Sequence, residues 1–430
     1  MSHSNYTRNI LNIKDENITF EENCLEVIKF KDSMVKVFHG KLTYTPTVCP
    51  HCGCLYETNP ETIIKYGFKN CKIKMDKISN YKVLLSLDKQ RFLCKHCKST
   101  FIAETNLVDF HKQISNNTIL SITLDLMEKG TEKDIAKRNN VSSSTVNRIL
   151  DNIAKDKLVK NEGVLPEALG IDEFKATKDT KSKMAFIIVN QDNRNIFDIN
   201  NSRLCHDIES YFKRYSKNER DKVKFITMDL YKPYYSLMSK LFRNAILIAD
   251  RFHIVIQARN ALDNTRIKLC SKSNPNYKKL KKYWKLILKK ESELDDKNKK
   301  YSNCFKKEMT EKEIVTYLIN TDETLYNDYQ IYQGIDKAVN NRDKDLFLQI
   351  VHNNKSNKNI SYKMKKALKT FIKFENYILN ALTYEYSNGI TEGINNLIKQ
   401  VKHSACGYRK FKHLKARIML IKGLINPIIS

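Results

Sequence analysis

Three features of the sequence predict a multidomain α+β chain. Two Cys-x-x-Cys pairs, Cys49–Cys52 and Cys94–Cys97, stand near the N-terminus. From Pro166 to about residue 258, short apolar runs bounded by turn residues alternate with helical patterns. A stretch rich in Lys, Asn and Glu and poor in Gly and Pro then interrupts that alternation. At 430 residues the chain exceeds one ordinary core, and 41% hydrophobic residues suffice for packed domains. Lys and Arg total 76 against 48 Asp and Glu, a net charge of +28, which predicts a polyanionic partner, nucleic acid being the commonest. The first twenty residues lack the apolar core of a secretory signal. No stretch nears the ~18 apolar residues of a membrane span. A cytoplasmic protein with no membrane partner is expected, so its eleven cysteines are not read as a disulfide framework.

The elements follow in order. After an N-terminal segment (1–45), residues 46–108 read as a four-cysteine ribbon. A two-residue spacer lets both sulfurs of a pair reach one tetrahedral ion at ~2.3 Å. Cys49, Cys52, Cys94 and Cys97 are therefore the expected ligands of a structural Zn²⁺, with Cys54 an alternative to Cys52 at a worse spacing. "YKVLLSLDKQRFLC" reads as two strands delivering the second pair. Residues 112–158 read as a helix-turn-helix: in "TEKDIAKRNNVSSSTVNRILDNI", Ile135, Ala136, Val141, Val146 and Ile149 fall at the positions two crossing helices bury. Asn140 tolerates the left-handed turn between them, and Ser142 or Ser143 can cap the second helix. Ser144, Thr145, Asn147 and Arg148 then face outward as DNA-contacting candidates.

From residue 165 to 258, "LGIDEF", "MAFIIVN" and "RNIFDI" read as a three-strand meander, followed by a helix over about Leu204–Tyr215. Two further strands, in "VKFITMDLYKPYY" and "NAILIADRFHIV", complete an α/β sheet like that of ribonuclease H. Asp172 and Asp229 sit at or near strand ends, where a rigid sheet can present carboxylates to divalent ions. Asp250, with His253 in "ADRFH", also ends an apolar run and contends with Asp229, and periodicity does not decide between them. Glu173 adjoins Asp172 but points to the opposite face of a strand. Residues 259–377 read as a mostly helical insertion. Arg259–Lys290 carries eleven Lys and Arg against one acid, Asp263, and "KKLKKYWKLILKK" reads as a basic helix. The last part, 378–430, opens on "NGITEGINNLIKQVKH". Ile390, Ile394, Leu397, Ile398 and Val401 form an apolar stripe there, leaving Glu392, Asn395 or Asn396, Lys399 and His403 off it. Glu392 is the final acid of the chain, with eight Lys and Arg after it, and it can supply a third carboxylate.

These motifs resemble the ISL-three family of bacterial insertion-sequence transposases nearly end to end. The likeness runs through "HGKLTYTPTVCPHCG", "QRFLCKHCKSTFIAET", "FITMDLYKPY", "NAILIADRFHIV" and "NGITEGINNLIKQVKHSACGYRKFKHLKARI". The resemblance implies a DDE triad of Asp172, Asp229 and Glu392 holding Mg²⁺ or Mn²⁺ on a ribonuclease H-like domain. It implies DNA strand cleavage and transfer, N-terminal modules that bind the element's terminal inverted repeats, and target DNA as a second substrate. A homo-oligomer on DNA is expected, with Lys399, His403 and Arg409 contacting phosphates. Two other readings fit the same residues: a sequence-specific DNA-binding regulator with an inactive nuclease-like domain, and a site-specific nuclease that never joins strands.

Overall fold

The computed structural model describes residues 3–30, 33–56, 61–156 and 163–425. Residues 57–60 of the expected ribbon, the expected helix-turn-helix bound at 158 and residues 426–430 lie outside the described residues. The chain is a mixed α+β molecule of two compact units, one comprising Met1–Val159 and Lys399–Ser430, the other Lys160–Ile398.

The first unit opens with α1 (His3–Ile10), then β1 (Ile18–Phe30), β2 (Ser33–Leu42), β3 (Ile63–Ile78), β4 (Tyr81–Cys94) and β5 (Thr100–Ile102). The sheet runs β1-β2-β4-β3, with β5 beside β4. Alternation along β4 buries Val83, Leu85 and Leu87 in one core with Ile18, Phe38, Leu42 and Ile73. "YKVLLSLDKQRFLC" is thus one strand and not the expected two, because no Gly or Pro interrupts it and β3 pairs along its whole length. The turn lies just before it, at Ser79 and Asn80, whose φ of 49° and 67° make the two-residue connection that matches strand twist. Next come α2 (Asn116–Asp125), α3 (Glu132–Arg138) and α4 (Ser143–Asp156). The Ser115 and Thr131 side chains cap α2 and α3, accepting from Thr118 and Asp134 amides. Asn140 takes φ 54° between α3 and α4, and Ser142 Oγ accepts from the Thr145 amide at 3.2 Å.

The second unit is built on β6 (Ala168–Lys175), β7 (Met184–Asn190), β8 (Asn195–Asn200), β9 (Phe225–Met228) and β10 (Ile246–Ala249), ordered β10-β9-β6-β7-β8. β6, β7 and β8 pair antiparallel, while β6, β9 and β10 run parallel. Parallel neighbours need crossovers, supplied by α5 (Cys205–Phe212) and α6 (Lys217–Asp221) before β9, and by α7 (Lys232–Leu241) before β10. The long α8 (Arg251–Leu269) leaves the end of β10 and leads into α9 (Tyr277–Lys282) and α10 (Trp284–Ile287). The basic segment expected as one helix is therefore two, broken at Tyr283, whose hydroxyl contacts Ser302 Oγ at 2.5 Å. A small hairpin follows, β11 (Lys300–Ser302) with β12 (Lys307–Met309). Then come α11 (Glu311–Ile319), α12 (Glu323–Asn340), α13 (Lys344–Asn353), α14 (Tyr362–Lys373), α15 (Glu375–Thr383) and α16 (Gly389–Ser404). One apolar core runs from the strands (Leu169, Ile171, Met228, Ile248) through α8 (Ile254, Ala258, Leu262) into α12 (Leu325, Ile335). The helices are thus built onto the sheet and not tethered beside it.

In the first unit again, α17 (Phe411–Ile421) lies against α4: His413 Nε2 is 2.8 Å from Asp151 Oδ1. Arg417, 1% exposed, donates to the carbonyls of Glu128 and Gly130 at 2.6 and 3.2 Å. No helix of the described residues is long and apolar enough to cross a membrane.

Candidate functional site

Asp229 and Asp250 stand just past the C-terminal ends of β9 and β10, whereas Asp172 lies inside β6, opposite Ile187 of β7, and not at the strand end expected for it. The ladder of β6 and β9 pairs Gly170 with Thr227, and that of β9 and β10 pairs Met228 with Ala249. Continued past its last pairs, this register sets Asp172, Asp229 and Asp250 in one row, on neighbouring strands ~4.8 Å apart. Asp229, Asp250 and His253 offer ligand atoms that all lie within 4.8 Å of one another. His253 Nε2 is 3.2 Å from Asp229 Oδ1 and 3.8 Å from Asp250 Oδ2. Asp250 also caps α8, accepting from the Phe252 amide at 3.2 Å, so one carboxylate starts the helix that carries His253. Asp172 and Glu392 fall outside this compact trio. Glu173 faces away from it, taking hydrogen bonds from Arg203 Nη1 at 2.8 Å and the Tyr234 hydroxyl.

Packing so many acids together disturbs their proton affinities. Burial pushes Asp172 up to about 6, with the charges of Asp250 and Glu173 adding to it. Burial and then the charge of Asp172 push Asp229 up to about 7. Asp250 is raised as well, first by burial, with Glu392 among the charges that contribute. Asp229 Oδ1 is buried, and its nearest partner is the His253 ring nitrogen at 3.2 Å, outside hydrogen-bond geometry. A buried carboxylate oxygen without a well-aligned hydrogen bond is costly unless a cation meets it. The oxygen-rich donor set fits a hard divalent ion on chemical grounds.

Helix α16 reaches this row through a buried polar network. Asn388, 2% exposed, donates to the Ile171 carbonyl at 3.1 Å and accepts from Thr227 Oγ1 at 2.9 Å. Thr391 Oγ1 is 3.2 Å from the same Asn388 oxygen, and Gln191 Nε2 donates to Thr227 Oγ1 at 2.9 Å. One turn further on, Asn395 Nδ2 donates to Asp172 Oδ2 at 2.6 Å. Asn388, just before α16, and Thr391 and Asn395 on it repeat at three and four residues, so the start of the helix and one of its stripes lock onto β6 and β9. Glu392 lies three residues before Asn395, exposed on the first turn. Gly170 permits this close approach: a Cβ there would stand 2.4 Å from Gln191 Nε2 and 2.7 Å from Thr391 Oγ1. Sequence reasoning singled out Glu392 but missed the roles of Asn388, Thr391 and Asn395. Their signal was a second, polar stripe at helical spacing beside the apolar one.

A cleft of about 620 Å³ opens beside Asp229 and His253. Gln257, Asn260 and Asn264 line it along α8, with Lys363 and Lys366 of α14 across from them.

In the first unit, Cys49, Cys52, Cys94 and Cys97 bring their sulfurs within 4.8 Å of one another. Cys49 to Cys97 and Cys52 to Cys94 are both 3.7 Å. A tetrahedron with ~2.3 Å arms has edges of about 3.8 Å, so this cluster fits zinc. Gly53, at φ 71°, donates to the Cys49 carbonyl at 2.9 Å and closes the first turn. The Cys94 amide donates to Ser99 O at 3.0 Å and closes the second. Hydrogen bonds from the Ser99 backbone and hydroxyl draw Cys97 down to about 6. Cys54 lies outside the cluster, its Sγ directed at the Leu55 carbonyl at 3.9 Å. Of the other sequence candidates in this unit, Ser144, Arg148, Lys399, His403 and Arg409 are exposed, and Thr145 and Asn147 are half-buried.

A family model described as a transposase, the ISL-three DDE type, matches residues 169–418, more than half of the chain. The chain belongs to the ISL-three family of DDE transposases. The matched span of this transposase-family chain includes Asp172, Asp229, Asp250, α8 and Glu392. A protein of Lactococcus lactis subsp. lactis named as an ATP-dependent protease is also similar, 40% identical over 129 residues. That alignment covers 29% of this chain and 41% of the relative, so the chain spans less than half of that protein's length. The named activity belongs to that protein.

Proposed function

We propose that the chain binds the terminal inverted repeats of an insertion sequence and cuts and rejoins DNA strands at a divalent-metal site. The observation that carries this is the hydrogen bond from Asn395 to Asp172, at 2.6 Å. It ties the helix of Glu392 to the row of Asp172 and Asp229. The β10-β9-β6-β7-β8 order supports a ribonuclease H-like reading of the second unit. The α3–turn–α4 segment supports a helix-turn-helix reading in the first.

On this reading Asp172, Asp229 and Glu392 would hold Mg²⁺ or Mn²⁺, with Asp250 and His253 beside Asp229. Ions held there supply a Lewis acid for the scissile phosphate and lower the pKa of the attacking hydroxyl. The chain's own residues do the rest. Asn388, Thr391 and Asn395 fix the angle at which α16 meets the strands. Gln257, Asn260 and Asn264 offer neutral hydrogen bonds to a strand lying in the cleft, and Lys363 and Lys366 neutralise its phosphates. The four-cysteine ribbon, with Zn²⁺, stiffens the end-binding unit. Ser144, Thr145, Asn147 and Arg148 address base edges and phosphates, while Lys399, His403 and Arg409 add phosphate contacts. Two copies paired on the two element ends would bring both cut strands to one target.

The test is cleavage of end-labelled repeat DNA with Mg²⁺. Asp172→Asn, Asp229→Asn and Glu392→Gln are each expected to abolish cutting while binding the ends as the wild type does. A Glu392→Gln protein that cuts normally overturns the triad. A wild type that binds but never cuts, and takes up no Mn²⁺, favours the regulator reading.

A further inference from the structure

Helix α16 brings one more oxygen to the row of acids. Asn395, 7% exposed, donates through Nδ2 to Asp172 Oδ2 at 2.6 Å, while its carbonyl Oδ1 is buried with no hydrogen bond. The neighbouring carboxylate fixes which way that amide faces. Turned over, it would set an acceptor oxygen against an ionised carboxylate, with no proton between them. With Nδ2 spent on Asp172, Oδ1 stands one bond angle away, beside the same acid. Buried carbonyl oxygens are nearly always satisfied, so an orphan at this place calls for a partner of positive charge.

The position of Asn395 on its helix points the same way. It follows Glu392 by three residues, which makes the two side chains neighbours on one face, about 5–6 Å apart at Cβ. A cation held between Asp172 and Glu392 therefore passes beside Asn395. In the same row Asp229 Oδ1 is likewise buried without a well-aligned hydrogen bond.

The residue type fits as well. Hard divalent ions take neutral amide oxygens alongside carboxylates. Acids already crowd this place: the charges of Asp250 and Glu173 act on Asp172, and that of Glu392 acts on Asp250. One more aspartate would add repulsion and would have no proton to give Asp172. Asparagine supplies an oxygen without the charge, and a donor on the same group.

We propose that Asn395 Oδ1 is a neutral ligand to the divalent ion that Asp172 and Glu392 hold. The proposal rests on the divalent-metal reading above. One amide then has two tasks: Nδ2 orients the Asp172 carboxylate and Oδ1 meets the ion.

The test uses the full, zinc-loaded chain and follows Mn²⁺ by electron paramagnetic resonance, with no cleavage required. The chain carries ¹³C at its asparagine side-chain carbonyls. At saturating Mn²⁺, electron–nuclear double resonance should show the coupling of a carbon bonded to a ligand oxygen. That coupling should vanish in Asn395→Ala and Asn395→Asp alike, although Asn388 and Asn396 keep their label. Asn395→Ala should weaken Mn²⁺ binding about 10-fold or more, the cost of losing even an outer partner of a metal ligand. Asn395→Asp keeps an oxygen for the ion and loses only the proton given to Asp172. It should bind Mn²⁺ within a few-fold of wild type, or more tightly. A residue that merely orients Asp172 would lose affinity equally in both variants, and that result overturns the proposal. Mn²⁺ bound to wild type without the ¹³C coupling overturns it too, Oδ1 then facing water. So does an Asn395→Ala chain that binds Mn²⁺ as wild type does. A wild type that takes up no Mn²⁺ overturns the divalent-metal reading and the proposal with it, a result distinct from Mn²⁺ bound without the coupling.

Discussion

Two glycine-to-alanine changes, 223 positions apart, should move stability in opposite directions. At Gly170 on β6, a new Cβ would stand 2.4 Å from Gln191 Nε2 and 2.7 Å from Thr391 Oγ1. Neither neighbour can retreat cheaply. Gln191 is 5% exposed and donates to Thr227 Oγ1 and to the Ser387 carbonyl at 3.1 Å, while Thr391 is fully buried. Overpacking a filled core costs about 1–3 kcal/mol, and displacing Gln191 forfeits hydrogen bonds of about 1 kcal/mol each. A loss of about 2–4 kcal/mol follows, which for a unit of this size lowers Tm by about 4–16 °C. At Gly393, within α16, a Cβ would meet nothing within 4 Å. There the alanine gains about 1 kcal/mol of helix propensity and should raise Tm slightly. Thermal unfolding followed by circular dichroism compares the two variants with wild type. If Gly170→Ala melts with the wild type, α16 is not docked on β6 as described, and the placement of Glu392 loses its support.

Zinc content gives a second prediction: wild type and Cys54→Ser should each carry one zinc per chain, and Cys49→Ser, Cys52→Ser and Cys94→Ser close to none, read by a colorimetric chelator after unfolding. A third concerns acid. Hydrogen bonds from Lys412, then His413, lower Asp151 to about 2. A carboxylate lowered on folding contributes stability above its unfolded pKa of ~3.9 and loses it as pH falls toward about 2. Melting of the wild type should therefore fall across that window, and Asp151→Asn should flatten the fall; an identical acid profile in both contradicts the assignment. Fourth, the fully buried Asp328 accepts from Thr265 Oγ1 at 2.6 Å and the Ser361 amide at 3.2 Å. Asp328→Ala strands both donors and should cost about 1–3 kcal/mol in chemical denaturation, whereas a change within 0.5 kcal/mol would deny the network its role.

The parts of the molecule legible in the sequence are those whose signals are local. Four cysteines in two short spacings announced a metal cluster because both ligands of a pair come from one turn. Asp172, Asp229 and Asp250 were visible as acids ending apolar runs. How they line up was not, since that depends on the β6-β9-β10 register, which joins segments separated in the chain by a helical crossover each. The family resemblance favoured Asp229, with Asp250 and His253 in supporting roles; folding sets all three side by side. Asn395 was only one of two polar residues off the apolar stripe until Asp172, 223 residues earlier, supplied its partner. The break at Tyr283 escaped notice because nothing local forbids a helix there, and its partner Ser302 lies beyond the segment. The burial of Arg417 was equally unannounced, as its acceptors are carbonyls of Glu128 and Gly130.

The central claim is that Asp172, Asp229 and Glu392 serve one divalent-metal site, and Mn²⁺ binding followed by electron paramagnetic resonance tests it without requiring turnover. Wild type should bind Mn²⁺ in a manner reversed by Mg²⁺. Asp229→Asn should remove that binding, and Asp172→Asn and Glu392→Gln should each weaken it at least tenfold, with the circular dichroism of the fold retained. Unchanged Mn²⁺ affinity in Glu392→Gln and Asp172→Asn alike would contradict it.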